Sequence, residues 1–112
     1  MSLKIVEYVD EKSHSPFKEW LHSLRKDKVT LGRILGRIRR FENGNFGDSK
    51  SVGDGVMEHR LDFGPGYRIY YGHHGDLLVI VLGGGDKSSQ DKDIKLAQKR
   101  WQRWKNENKK SS

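Results

Sequence analysis

Cysteine is absent from the 112 residues. That excludes disulfide scaffolds, zinc–thiolate centres, thiol nucleophiles and iron–sulfur ligation, and it fits a reducing compartment, so the cytoplasm is the expected location. Long apolar runs are absent too. The longest, Leu77 to Leu82, is far below the ~20 residues of a membrane-spanning helix. The N-terminus, Met-Ser-Leu-Lys-Ile-Val-Glu, alternates and carries an early acid, unlike a secretory leader. Only 33% of residues are hydrophobic, yet 11 are aromatic, which argues against a wholly disordered chain. At this length one modest core is feasible and two are not. Acid is the scarcer sign of charge: 22 Lys and Arg face 15 Asp and Glu, a net +7. Such an excess implies a polyanionic partner: nucleic acid, an acidic protein or an anionic surface.

Residues 3–9 are short and β-branched and predict a strand. Ser15-Pro16 predicts an N-cap followed by proline at the first helical position, where its missing N–H costs little. Phe17, Trp20, Leu21 and Leu24 follow at helical spacing. A second helix starts at Asp27, with Leu31, Ile34, Leu35, Ile38 and Phe41 as its expected buried face. Arg33, Arg37 and Arg40 form a stripe opposite, suited either to nucleic-acid phosphates or to an acidic protein. Between Arg25 and Glu42 the local balance is +5.

Residues 49–56 read as a polar loop. Met57, His59, Leu61 and Phe63 then alternate with polar residues, the period of a half-buried strand. Gly64-Pro65-Gly66 is an expected turn, residues 67–71 a strand, and Gly72-His73-His74-Gly75 a second turn. Leu77–Leu82 predicts a strand covered on both faces. Gly83-Gly84-Gly85 is expected to leave the sheet, and Ser88 or Ser89 to cap a last helix with Asp91 and Asp93 in its first turn. That helix carries Ile94, Ala97, Trp101 and Trp104 on one face, and residues 105–112 are expected to be a basic, frayed tail. The order is β-α-α-β-β-β-α: a single α+β domain, residues 1–104, with a two-helix hairpin packed on a small, mostly antiparallel sheet.

Period two places Glu58, Arg60, Arg68 and Tyr70 on the sheet face opposite Leu61 and Ile69, with Lys87 nearby. Cations beside an aromatic on an open sheet face suit a phosphodiester with a stacked base; a solvated face with cross-strand Glu–Arg pairs is the alternative. RNA cleavage needs a base for the 2′-OH, cations for the developing phosphorane charge and a proton donor for the leaving oxygen. Glu58, His59 or His74 could accept the proton; Lys87 or Tyr70 could donate one. His59 alternates with core positions and reads first as a packing residue. No pair of carboxylates stands at ligand spacing to His73 and His74, so no metal is expected, and no other cofactor is expected either. Gly83-Gly84-Gly85-Asp86-Lys87-Ser88 is not a phosphate loop, because Asp86 stands where that pattern needs glycine.

The stretch Gly55 to Tyr71, with Glu58-His59-Arg60-Leu61 and Gly64-Pro65-Gly66-Tyr67-Arg68-Ile69-Tyr70, resembles the signature of the addiction-module killer proteins, HigB-like toxins of the RelE/ParE superfamily. Gly84 to Ile94 is similar to a second signature of that family, and Phe17-Lys18-Glu19-Trp20-Leu21 and the arginine-rich helix fit the same pattern. The resemblance covers residues 3–104. It implies a RelE-like fold and a toxin neutralised by a cognate antitoxin, commonly of helix-turn-helix type. It implies metal-independent endoribonuclease activity on messenger RNA, often at the ribosome. By this resemblance Arg68 and Arg60 contact phosphate and the transition state and Lys87 is an auxiliary cation; the chain departs from RelE in having Glu58 about where RelE has a lysine, read here as a base or an orienter of Arg60, and in lacking RelE's tyrosine at Asp93-Ile94-Lys95, for which Tyr70 is the substitute. Arg33, Arg37 and Arg40 would bind RNA or the partner. The superfamily also holds non-catalytic members that inhibit DNA gyrase, and a decayed, antitoxin-binding remnant would carry the same motifs.

Overall fold

A computed structural model describes residues 2–109. The elements are β1 (Lys4–Glu7), α1 (Pro16–Ser23), α2 (Lys28–Glu42), β2 (Ser49–Ser51), β3 (Met57–Arg60), β4 (Arg68–His74), β5 (Leu78–Gly85), a 3-10 turn (Lys87–Ser89) and α3 (Gln90–Glu107). The fold is α+β: three helices and one five-stranded mixed sheet in the order β1-β5-β4-β3-β2. β1 runs parallel to β5, and every other neighbouring pair is antiparallel.

The helix starts follow their local chemistry. Ser15 Oγ accepts from Lys18 N at 3.2 Å, with Pro16 behind it. Asp27 accepts from both the backbone N–H and the hydroxyl of Thr30. Each contact satisfies a donor or anchors a turn that the helix ladder leaves open.

The sheet separates two cores. On one face α1 and α2 bring Phe17, Ile34 and Phe41 onto Ile69, Tyr71, Val79 and Val81. On the other, α3 brings Ala97 and Trp101 onto Tyr70, Ile80 and Leu82, with Tyr8 and Val56 completing the cluster. β5 therefore supplies alternate residues to both cores, as its continuous apolar run requires.

Several expectations need correction. Residues 49–51 are not loop but an edge strand, which adds β2 to the predicted order; its ladder with Met57–His59 outweighs its polar composition. Residues 73 and 74 are not a turn but the end of β4, and the chain reverses after them. Gly83–Gly85 do not leave the sheet. They extend β5, because bulky rings need bare backbone there: a Cβ on Gly84 would strike the Trp20 indole. Gly72 of β4 does the same on the opposite face, where a Cβ would stand 2.7 Å from Trp101 Cδ2. Leu35 is 49% exposed. The buried line of α2 runs through Ile34, Ile38 and Phe41, and Leu35 sits one helical step to its side. Finally, α3 continues to Glu107, so residues 105–107 are helical; residues 110–112 of the expected tail lie outside the described residues. Among the described residues no helix is long and apolar enough to cross a membrane.

Candidate functional site

Pairing of β3 with β4 places Glu58 opposite Tyr70 and Arg60 opposite Arg68. The β3–β4 ladder supplies the register, and the common sheet face predicted from period two is thus present. The expected open face is not: α3 covers it, leaving Glu58 1%, Tyr70 1% and Arg68 5% exposed. The amphipathic α3 had to bury Ala97 and Trp101 somewhere, and the second apolar face of β5 is the surface that receives them.

Burial turns Glu58 into a shared acceptor. Its Oε2 receives a hydrogen bond from Tyr70 Oη at 3.0 Å and another from Gln90 Nε2 at 3.0 Å. Arg68 Nε lies 3.6 Å from the same oxygen, an ion pair rather than a hydrogen bond. Arg68 Nη1 donates to the Gly66 carbonyl at 2.8 Å. Among the described residues, Arg68 Nε is a buried side-chain nitrogen with no hydrogen-bond partner, an arrangement that ordinarily carries a cost and calls for a reason. Burial, then the Glu58 charge and hydrogen bond, push the Tyr70 phenol far above its usual range. Tyr70 therefore stays protonated and supports Glu58.

Arg60 and Lys87 stand outside this buried cluster. Arg60 Nε pairs with Asp48 Oδ2 at 3.2 Å, with both side chains more than half exposed. Lys87 is exposed, and its backbone N–H donates to the Pro65 carbonyl at 3.2 Å, which ties the exit of β5 to the Gly64–Gly66 loop before Arg68. Asp86 fixes the following turn by accepting from Ser88 N and Oγ; those hydrogen bonds hold its carboxyl below the usual range. The structure thus brings Glu58, Tyr70 and Arg68 together, with Arg60 opposite Arg68 and Lys87 beside the loop that Arg68 holds.

Gln90 carried no role in the sequence reading. It is the first residue of α3, and only the seating of that helix over the sheet brings it to Glu58. Asp48, the partner of Arg60, likewise follows from β2 pairing with β3 rather than from any motif.

Arg33, Arg37 and Arg40 lie across the sheet from Glu58. Arg37 Nη1 donates to His59 Nε2 at 3.2 Å, and His59 Nδ1 donates to the Phe46 carbonyl at 2.8 Å. The two contacts together fix a neutral imidazole with its proton on Nδ1. His59 is 1% exposed and packs edge-on against Phe41, as the packing reading expects. Burial lowers its pKa, and Arg37 and Arg40 add to this against the Phe46 carbonyl and Asp48.

The sign of the linkage follows. In the unfolded chain His59 takes a proton near pH 6.5, whereas in the folded protein it does so only at lower pH. Between those values the unfolded state binds more protons, so stability is full above about pH 6.5 and falls as the pH drops below it. The slope from this one group cannot exceed about 1.4 kcal/mol per pH unit. Urea midpoints measured from pH 7 to pH 5 should fall in the parent protein and fall less in His59→Gln. Parallel curves would remove His59 as the source.

His73 and His74 point to opposite faces, His73 onto Phe46 and Tyr71 and His74 onto Trp104. Trp101 and Trp104 stack on each other and pack against the α3 face of the sheet. Among the described residues no group of three His, Asp or Glu side chains is placed to hold a metal ion.

No family model matches the chain, and no solved structure does. A Haemophilus influenzae protein described as "Uncharacterized protein" is 53% identical over 81 residues, 72% of this chain and 81% of that protein. Identity at that level over most of both lengths is shared ancestry and shared fold, and the chain belongs to the same family as this Haemophilus influenzae protein.

Proposed function

We propose that this protein is the toxin of a type II toxin–antitoxin module, with a RelE-like arrangement of its α+β fold, acting in the cytoplasm as a metal-independent endoribonuclease on ribosome-associated messenger RNA. The observation that carries the reading is the cross-strand pair Arg60–Arg68. Like charges directly opposite on a sheet are destabilising, and here Lys87 adds a third cation at the same end. Asp48 and Glu58 offset part of that repulsion, and the surface a polyanion meets is made by Arg60, in an exposed pair, and by exposed Lys87. The two motifs that resemble the killer-protein signatures, residues 55–71 and 84–94, run through these same strands and the start of α3. The partner implied is a cognate antitoxin, commonly of helix-turn-helix type.

In this reading the 2′-OH of the cleaved nucleotide gives its proton to solvent water and attacks the adjacent phosphate, forming the O2′–P bond of a 2′,3′-cyclic phosphate as the P–O5′ bond breaks. Arg60 and Lys87, both exposed, neutralise the non-bridging oxygens as the phosphorane forms. Lys87 is placed to give a proton to the leaving 5′ oxygen. Arg68 supplies a fixed positive charge from below, in a medium where charge is poorly screened. Glu58, Tyr70 and Gln90 position Arg68. The burial of Glu58 and Tyr70 also favours a second reading, a gyrase-directed or otherwise non-catalytic toxin, or an inactive antitoxin-binding remnant, because neither residue meets solvent as a base or acid.

The test is induction in cells, with 5′-end mapping of messenger RNA beside a plasmid supercoiling assay. The proteins compared are the parent, Arg60→Ala and Lys87→Ala, whose exposed positions spare the core. New message ends that disappear in both variants are expected. Intact messages with altered supercoiling would replace the nuclease with the gyrase reading.

A further inference from the structure

The guanidinium groups of Arg33, Arg37 and Arg40 line a cleft of about 290 Å³ together with Gly36, Asp62 and Phe63. Two of the three are held by non-acidic partners. Arg33 lies over the Phe63 ring, 4.5 Å from its centroid, and Arg37 is anchored on neutral His59. Among the described residues none of the three forms an ion pair with a carboxylate. Asp62 is the one acid in the lining, so the cleft carries an uncompensated excess of positive charge. The cations feel each other: burial, then Arg40 and Arg33, depress the Arg37 pKa. Elsewhere in the chain Arg60, Arg68 and Arg103 each have a carboxylate within 4 Å. Arg25, Arg39 and Arg100 also form no ion pair with a carboxylate among the described residues, so what distinguishes Arg33, Arg37 and Arg40 is that they line one cleft together, where charge-assisted contacts to a single anion are available.

We propose that this cleft is a binding site for one phosphate oxyanion, distinct from the Arg60–Arg68–Lys87 cluster and on the opposite side of the sheet. The charge of the lining sets the ligand class. At about 290 Å³ the cleft lies at the lower end of the range of ligand pockets, so it holds a phosphate group, and the three cations, rather than an apolar lining, select it. Gly36 forms the bare floor, where a Cβ would meet nothing within 4 Å. Phosphate binding here does not depend on RNA cleavage by the other face.

The phosphate could be inorganic or part of a nucleic-acid backbone, and two titrations of the full chain distinguish them. The first uses inorganic phosphate, followed by NMR of the arginine Nε–Hε signals. Saturable shifts of Arg33, Arg37 and Arg40 are expected. Arg40→Gln should weaken binding about tenfold, the loss of one charge-assisted contact. Gly36→Leu keeps every charge and fills the floor, and it should weaken binding at least as much, while Lys12→Gln, a remote exposed control, should not. The second titration adds single-stranded RNA without a terminal phosphate. Competition between the two ligands identifies a backbone site, and phosphate binding without competition identifies a free-phosphate site. Absence of saturable shifts, or equal losses in Lys12→Gln and Arg40→Gln with none in Gly36→Leu, would reduce the cleft to general surface charge and overturn the proposal.

Discussion

Glu58→Ala is expected to cost about 3–5 kcal/mol, the usual penalty for removing one partner of a buried ion pair. Against a total stability of about 5–15 kcal/mol for a domain of this kind, that places the variant near the limit of folding. The loss has three parts. Arg68, 5% exposed, is left without a counter-charge; the Tyr70 hydroxyl loses its acceptor; and so does the Gln90 amide. The companion experiment decides whether the pair stabilises the protein or serves something else. Replacing both charges, as in Glu58→Leu with Arg68→Met, removes the burial penalty together with the attraction, and such swaps are commonly neutral or stabilising. The double variant should therefore be more stable than Glu58→Ala by about 2 kcal/mol or more, as read from urea unfolding at pH 7 followed by tryptophan fluorescence. A single substitution that cost less than about 1 kcal/mol, the scale of an exposed pair, would mean that the cluster is solvated in solution. A stable double variant that no longer arrests growth would give the buried charges a functional rather than a structural reason to exist.

The elements most legible in the sequence are those whose pattern repeats a backbone period. Met57, His59 and Leu61 alternate and form β3 and its continuation. Leu77 to Leu82 is apolar throughout, and β5 is covered on both faces. Ser15-Pro16 and Asp27 start helices because their side chains satisfy donors within a few residues, and nothing distant is required. What escaped the reading depends on contacts far along the chain. Ser49–Ser51 become a strand only because β3 offers them a ladder. Gly83–Gly85 look like a loop until Trp20 needs bare backbone on which to lie. The candidate site divides in the same way. Alternation puts Glu58, Arg60, Arg68 and Tyr70 on one face, and only the β3–β4 ladder sets Arg60 opposite Arg68 and Glu58 opposite Tyr70. The burial of that cluster, and the entry of Gln90 into it, depend on where α3 docks, and no local pattern in residues 90–107 specifies which sheet face receives the helix. The sequence sets Arg37 on a basic stripe opposite the buried face of α2; its contact with buried His59 joins residues 22 apart in sequence and is visible only in the fold.

Arg68→Lys is the second large effect, and it separates charge from shape. Lysine at this position keeps a cation beside Glu58 and so avoids the penalty described for the broken pair; the unfolding free energy from urea titration should fall by about 1–2 kcal/mol, from the lost hydrogen bond to the Gly66 carbonyl and poorer packing. Lysine does not keep the planar fork. In the nuclease reading that fork matters through the loop: Nη1 holds Gly64–Gly66, to which the Lys87 backbone is tied, so that Lys87 meets the developing phosphorane charge at a fixed position. Loss of one such fixed donor typically costs 10²–10³ in rate, about 3–4 kcal/mol of transition-state stabilisation. Message cleavage by Arg68→Lys should fall about 100-fold or more in the 5′-end assay while the protein remains folded, and antitoxin binding should persist. Full cleavage by a folded Arg68→Lys protein would show that only the positive charge is used, leaving Arg60 and Lys87 as the sole phosphate contacts. Full cleavage by folded Arg68→Met as well would confine Arg68 to the role of a counter-ion for Glu58. The catalytic reading of this end of the sheet would then rest on the two exposed cations alone, and with no base among its buried neighbours the non-catalytic toxin would become the better account of the same geometry.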